Sequence, residues 1–382
     1  MDLSIYFKPI EKIEIKNKSI GSITSAFNSS FPDWESSDIV FFTVHENRGA
    51  SVYDDNDLDH ISIRQKLYNF KWEGDLKITD LGILQSGSKI KDTYSALAEI
   101  NFEVQKKGKL LLILGGSQDL TFANYAGYEK LEQPINLSCI DHSFDVALEK
   151  EEQISSSNFI NHLLLHKPNL LFNFSILGCQ QYYVGKEDIR FFDELYFDYL
   201  RLGELQNAIA KSEPILRNTD LLSVDLSSIR FSDFNGSKFS STNGFFGNEM
   251  CQMMKYAGIS DKISSIGLYN LKSGNLRLVD SELIGQLLFF AILGYSLRKK
   301  DYPFGNKKEL IKYSVFHEDT KHDLVFHKSA KSERWWLEVP YPPTKDFKFE
   351  RHHLIPCNYE DYEIAQNGVI PDLWWKTYRK LN

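Results

Sequence analysis

Three short polar runs hold the side chains best suited to chemistry: "GGSQD" (Gly115–Asp119), "DHSFD" (Asp141–Asp145) and "DLSS" (Asp225–Ser228). Acids paired beside a histidine at a strand end raise the question of a metal site. Asp141 and Asp145 stand four apart with His142 between them, so metal binding is the first chemistry to weigh. In a chain that stays extended past Ile140, successive side chains face opposite ways. Asp141, Ser143 and Asp145 then share a face, and His142 is predicted to point away from them, packed or at the surface. The plain alternative for all three aspartates is that they cap the turns after strand ends. Clustered carboxylates repel unless a metal, a lysine, an arginine or a proton lies among them, and the sequence leaves that choice open.

Each polar run follows an apolar strand. Ile39–Val44, Leu110–Leu114, Ile135–Ile140, Leu170–Leu177, Leu221–Asp225 and Ser264–Tyr269 read as strands. Helical spacing runs over Ile61–Phe70, Tyr94–Lys107, Leu120–Leu131, Asn158–His166, Phe191–Lys211, Glu249–Ala257 and Leu283–Lys299. Uniformly apolar strands separated by helices predict an α/β fold with a mainly parallel sheet covered on both faces. Sites in such sheets form at the C-terminal ends of the strands, where all three polar runs fall. After about Tyr302 the pattern changes to short antiparallel strands at Tyr313–Phe316, Asp323–His327 and Arg334–Val339, with "HKSAKSER" (His327–Arg334) as the last turn. The chain divides into an N-terminal extension (1–37), an α/β domain (38–301) and a β-hairpin and aromatic-rich appendage (302–382).

Over 382 residues the formal net charge is −8, which argues against nucleic-acid or anionic-membrane binding. The longest apolar run, Leu283–Leu297, is too short to span a bilayer and carries Gln286, so it reads as a buried helix without membrane insertion. The N-terminus lacks the basic start and apolar core of a signal peptide. Cys139, Cys179, Cys251 and Cys357 are scattered and form no CxxC pair, as expected of reduced thiols in a cytoplasmic protein. Gly115–Gly116 lack the lysine of a phosphate-binding loop and read as a tight strand-to-helix turn.

In order and spacing, these runs resemble the ureohydrolase family (arginase, agmatinase and, most closely, formimidoylglutamase). "IRQKLY" (Ile63–Tyr68) and "DLG" (Asp80–Gly82) look like its early landmarks, and "LGGSQDLTFANYAG" (Leu114–Gly127) like its LGGGHE…YxG turn. "IDHSFDV" (Ile140–Val146) looks like DAHxD, "SVDLSSI" (Ser223–Ile229) like SxDxD, and "NGFFGNE" (Asn243–Glu249) like GGLTxxE. The resemblance spans residues 38–300. It implies a three-layer α/β/α, arginase-like fold and a pair of Mn2+ ions whose bridging hydroxide attacks an amidine or guanidine carbon. Three of the ligand positions it implies are changed here. Gln118 stands at the GGGH histidine, Ser143 at the DAHxD histidine and Ser227 at the second SxDxD aspartate. One metal is left with Gln118, Asp141, Asp145 and Asp225, and the other loses its private ligands at Ser143 and Ser227. The loop that reads HGTPF in formimidoylglutamases is "SSSNF" (Ser155–Phe159), without the histidine of a proton shuttle. Glu249 is the candidate for the acid that meets the cationic end of a substrate. Its own local reading is an acid in the first turn of a helix, favoured by the dipole.

The expected protein is therefore formimidoylglutamase-like, non-catalytic and kept for a structural or protein-binding role. It needs no cofactor beyond at most one weakly bound Mn2+ or Mg2+. The alternative is a metal-dependent hydrolase of linear amidines or guanidines with a remodelled site, and a third reading is a binder of a small cationic ligand in the old pocket. Trp335, Trp336, Trp374 and Trp375 are interface candidates for a protein partner or a second copy. Adjacent tryptophans on a strand face opposite ways, so on a two-faced sheet at most one of Trp335 and Trp336 is expected to pack inward.

Overall fold

The computed structural model describes residues 2–50, 58–146, 153–237, 239, 241–272, 274, 276–303, 309–318, 321–341 and 347–381. Its strands are β1 (Phe7–Lys8), β2 (Thr24–Ala26), β3 (Ile39–Val44), β4 (Ile78–Leu84), β5 (Leu110–Leu114), β6 (Ile135–Ile140), β7 (Leu171–Cys179), β8 (Asp198–Arg201), β9 (Leu221–Asp225), β10 (Ser265–Tyr269), β11 (Leu310–His317), β12 (His322–Ser329), β13 (Trp335–Glu338) and β14 (Leu354–Cys357). The α-helices are α1 (His60–Asn69), α2 (Ile90–Lys106), α3 (Leu120–Glu129), α4 (Phe159–Leu165), α5 (Lys186–Glu194), α6 (Leu202–Asn207), α7 (Ser212–Asn218), α8 (Gly247–Ile259), α9 (Leu278–Ser296), α10 (Tyr359–Gln366) and α11 (Asp372–Leu381).

The large sheet runs β1-β4-β3-β5-β10-β9-β6-β7-β8, with β2 also on β4. All its pairings are parallel except β1 with β4. The segment before residue 38 thus supplies two strands to this sheet. Central strands are apolar on both sides because both faces are covered. In β5, Leu110, Leu112 and Leu114 pack with Ile63 of α1, Met253 of α8 and Ile284 of α9. Leu111 and Ile113 face the opposite way, toward Leu97 and Ile100 of α2 and Leu120 of α3. Each such side chain contributes about 1.5–3 kcal/mol on burial, so the alternation makes a three-layer α/β/α arrangement.

α9 is, among the described residues, the one helix long and apolar enough to cross a membrane. It is instead a core helix. A Cβ on Gly258 of α8 would lie 2.2 Å from the Ala291 carbonyl oxygen, and one on Gly294 would lie 2.4 Å from that of Lys255. The two backbones therefore touch directly. The early landmarks form a staple between α1 and β4. The fully buried Arg64 donates through Nε to Asp80 Oδ2 at 2.7 Å and through Nη2 to Oδ1 at 2.9 Å, and Tyr68 donates to the same carboxylate at 2.5 Å.

One stretch departs from its sequence pattern. Phe191–Lys211, expected as one helix, ends α5 at Glu194, turns through Tyr196 at φ +56° and supplies β8 and α6. The left-handed turn redirects the chain so that Asp198–Arg201 can pair with β7.

A second, antiparallel sheet, β11-β12-β13-β14, follows α9. Arg217 of α7 fastens it to the first layer. Its Nη1 donates to the Trp335 carbonyl at 2.9 Å and its Nη2 to that of Cys357 at 3.1 Å, while the guanidinium lies 4.7 Å over the Trp336 ring. Arg351 adds a 2.6 Å contact to Asp220. At β13 both faces of this sheet are therefore covered, which corrects the expectation that one of Trp335 and Trp336 would be left outside. Trp336 faces Arg217, and Trp335 packs against Tyr313 and Tyr362 of α10's side. Trp374 is buried too, and Trp375 retains 40% of its surface.

Candidate functional site

The sheet register brings the acids together. Ile140 pairs with Val224 and Tyr269 with Asp225, so Asp141 and Asp225 leave β6 and β9 side by side. Beside them, Gly115 and Gly116 adopt φ values of +94° and +78°. A Cβ at Gly116 would sit 2.8 Å from the Glu46 carbonyl oxygen, so only glycine lets the turn after β5 drop Gln118 into the cluster.

Gln118 is fully buried, and its Nε2 donates to Asp141 Oδ2 at 2.8 Å. Its carbonyl Oε1 accepts from Asn270 Nδ2 at 3.3 Å. The residue thus presents a donor to Asp141, and its own carbonyl oxygen faces Asn270. Ser143 Oγ donates to Asp145 Oδ1 at 2.8 Å, and the Ser227 amide donates to Asp225 Oδ1 at 2.7 Å.

His142 does not point away. Its Nδ1 lies 3.3 Å from Asp141 Oδ1, 3.8 Å from Asp225 Oδ2 and 3.1 Å from Ser227 Oγ. The alternation argument fails here because β6 stops at Ile140, and the chain bends through 141–146 with Asp145 at φ +46°. The imidazole is held by Phe239, stacked at 4.9 Å and 7°, and by the edge-on Tyr183 at 5.0 Å.

Among the described residues, no lysine or arginine forms an ion pair with Asp141, Asp145 or Asp225; the basic side chain beside Asp141 and Asp225 is His142. Burial and the adjacent Asp141 charge push the Asp225 carboxyl up to about 6. Burial, then Asp141 and Asp225, hold the Asp145 carboxyl well above the usual range. These are the shifts expected of carboxylates crowded out of water.

A cavity of about 240 Å³ opens onto the cluster, lined by Ser143, Asp145, Asp225 and Ser227, with His142 and Asn270 at its wall. Larger clefts of about 710 and 1110 Å³ lie beside Arg201 and between α8 and α9, and neither is lined by the aspartates. Volume is the poorer guide here, because chemistry needs convergent groups. Glu249 is not among the described residues that line the small cavity. Its Oε2 accepts the Phe246 amide at 2.8 Å, closing a capping box at the start of α8, which is its local reading.

No protein-family model matches the chain, and no curated protein matches it in sequence. Solved structures do match it. Formimidoylglutamase from Bacillus subtilis superposes with a TM-score of 0.64 at 13% identity, covering 76% of this chain and 95% of that one. The chain has the arginase-like α/β fold. Trypanosoma cruzi formiminoglutamase with Mn2+2 matches at TM-score 0.61 and 19% identity, over 69% of this chain and 95% of its own. The agmatine ureohydrolase of Thermoplasma volcanium matches at 0.58 and 16%, over 72% and 94%. A second, antiparallel sheet follows it toward the C-terminus of this chain.

Within the arginase-like frame, Ser143, Asp145, Asp225 and Ser227 line one cavity, Gln118 is bonded to the neighbouring Asp141, and Glu249 and the four tryptophans lie elsewhere. Sequence reasoning missed Asn270 and Phe239. Asn270 carried one available signal, a polar residue directly after an apolar strand; Phe239 carried none.

Proposed function

We propose that this chain is an arginase-fold protein that has given up hydrolysis at a metal pair and serves as a structural or protein-binding component. One observation carries the reading. The two residues at the positions of the second metal's private ligands, Ser143 and Ser227, are hydroxyls engaged inside the protein, with Asp145 at 2.8 Å and His142 at 3.1 Å. A neutral hydroxyl is a weak ligand for a divalent ion beside an imidazole or carboxylate. The donor set therefore does not fit two ions, and no hydrolytic step through a pair is available to these residues. Residues 302–382 are, on this reading, the part that adapts the fold to a partner or to a second copy. Trp375 at 40% exposure, with Phe316 at 62% and Ile311 at 48%, supplies the kind of surface that binds. Four free, buried cysteines support a reducing, cytoplasmic setting.

A second reading is favoured by the cluster of Asp141, His142 and Asp225, whose ligand atoms all lie within 4.8 Å of one another. Those residues suit a single cation, and so a remodelled hydrolase of linear amidines or guanidines. A turnover screen separates the two. Purified protein with added Mn2+ is offered agmatine, arginine and formimidoylglutamate, and urea or formamide is measured. The first reading expects no release above the rate without protein; sustained release favours the second.

A further inference from the structure

The arginase-like frame implies histidine at position 143, where this chain has serine, yet a histidine still reaches the acids from one residue earlier. We propose that Asp141, His142 and Asp225 form a rebuilt site for one borderline-soft divalent cation, Zn2+ or Co2+, in place of a hard-ion pair.

The distances carry the argument. A tetrahedral ion with bonds of about 2.1 Å keeps its ligand atoms about 3.4 Å apart. His142 Nδ1 lies 3.3 Å from Asp141 Oδ1 and 3.8 Å from Asp225 Oδ2. All three donor atoms lie within 4.8 Å of one another, so a shared ion draws them together by at most about 1.4 Å. The class of ion follows from the donors. An imidazole with two carboxylates suits Zn2+ and Co2+, whereas Mg2+ asks for near-octahedral oxygen and keeps several waters.

The surroundings hold the ligands as a metal site requires. Gln118 Nε2 fixes the far oxygen of Asp141 at 2.8 Å, and the Ser227 amide fixes the far oxygen of Asp225 at 2.7 Å. Phe239 and Tyr183 clamp the imidazole so that Nδ1, not Nε2, faces the acids. His142 and Asp225 both line the 240 Å³ cavity, which would leave room for a water or a small ligand beside an ion held there. A cation here also answers the electrostatic problem of three carboxylates that no described lysine or arginine neutralises.

This inference rests on the reading that the two-ion site is gone, and binding rather than turnover tests it. The full chain is stripped with a chelator and titrated with ZnCl2 in the presence of excess Mg2+, and the visible spectrum of the Co2+-loaded protein is recorded. The expected result is one Zn2+ per chain and the intense bands of four-coordinate Co2+. His142→Phe, which keeps the ring stack, and Asp225→Asn lose about tenfold or more in Zn2+ affinity and lose the Co2+ bands. Ser143→Ala keeps both. Unfolding midpoints show which variants are folded. No Zn2+ uptake over Mg2+, or a single ion whose affinity and spectrum ignore both His142 and Asp225, overturns this inference alone. Two ions together with turnover overturn the reading it rests on.

Discussion

Ser143 Oγ donates to Asp145 Oδ1 at 2.8 Å. That bond ties a serine to a carboxylate that burial and two neighbouring acids already hold in a raised-pKa state. A carboxylate oxygen that already accepts from a neighbouring hydroxyl has less to offer a second cation. If side-chain chemistry alone removed the metal pair, then restoring it should return the ions. Gln118→His, Ser143→His and Ser227→Asp made together are expected to raise Mn2+ bound per chain from at most one to two, measured by equilibrium dialysis with elemental analysis. Unchanged stoichiometry in a folded triple variant would place the cause in the backbone instead.

The second sheet hangs on Arg217. Its guanidinium satisfies the Trp335 and Cys357 carbonyls and covers Trp336. Arg217→Ala orphans two buried acceptors and is expected to cost about 3–5 kcal/mol, read as a lower midpoint in urea denaturation. Proteolysis should then begin within 302–382 before it reaches the α/β core.

The tryptophans divide by burial rather than by sequence proximity. Trp336 is 1% exposed and Trp375 is 40% exposed. Trp336→Ala is expected to cost about 3–5 kcal/mol, while Trp375→Ala stays within about 0.5 kcal/mol. If Trp375 belongs to an association surface, its loss shifts the sedimentation profile of the purified chain without shifting the unfolding midpoint.

His60 begins α1 directly after its Asp59 cap. Burial, then the charges of Arg64 and His45, pull its pKa from 6.5 down to about 4, and a cation at a helix N-terminus is disfavoured as well. A depressed folded-state pKa contributes stability that is present above the unfolded value of 6.5 and lost as pH falls toward 4. Wild-type Tm is therefore expected to fall across that window, and His60→Gln should flatten this part of the curve. An identical pH dependence in the variant would contradict the assignment.

Much of the frame is legible in residue order. Leu110–Leu114 and Leu221–Asp225 are strands with the bounds the apolar runs predict, because uniform hydrophobicity over strand length has few other uses between helices. The site's acids are legible for the same reason, since each follows such a run. What the sequence hides is where periodicity stops. His142 lies two residues past the end of β6, where alternation no longer fixes the face a side chain takes. Asp198–Arg201 hides β8 because its pairing with β7 is a tertiary contact, and a left-handed Tyr196 is not marked by a glycine. Trp335 and Trp336 show a third limit. Alternation places the rings on opposite faces correctly, yet whether a face meets water depends on Arg217 and Tyr362, far away in the chain.

The account turns on the number of ions the pocket holds and on whether a held water is activated. The most direct measurement is elemental analysis of the native protein equilibrated with Mn2+, paired on the same sample with an assay for urea and formamide release. It predicts no more than one ion per chain and no release above background from agmatine, arginine or formimidoylglutamate. Two Mn2+ ions per chain with steady turnover would contradict it.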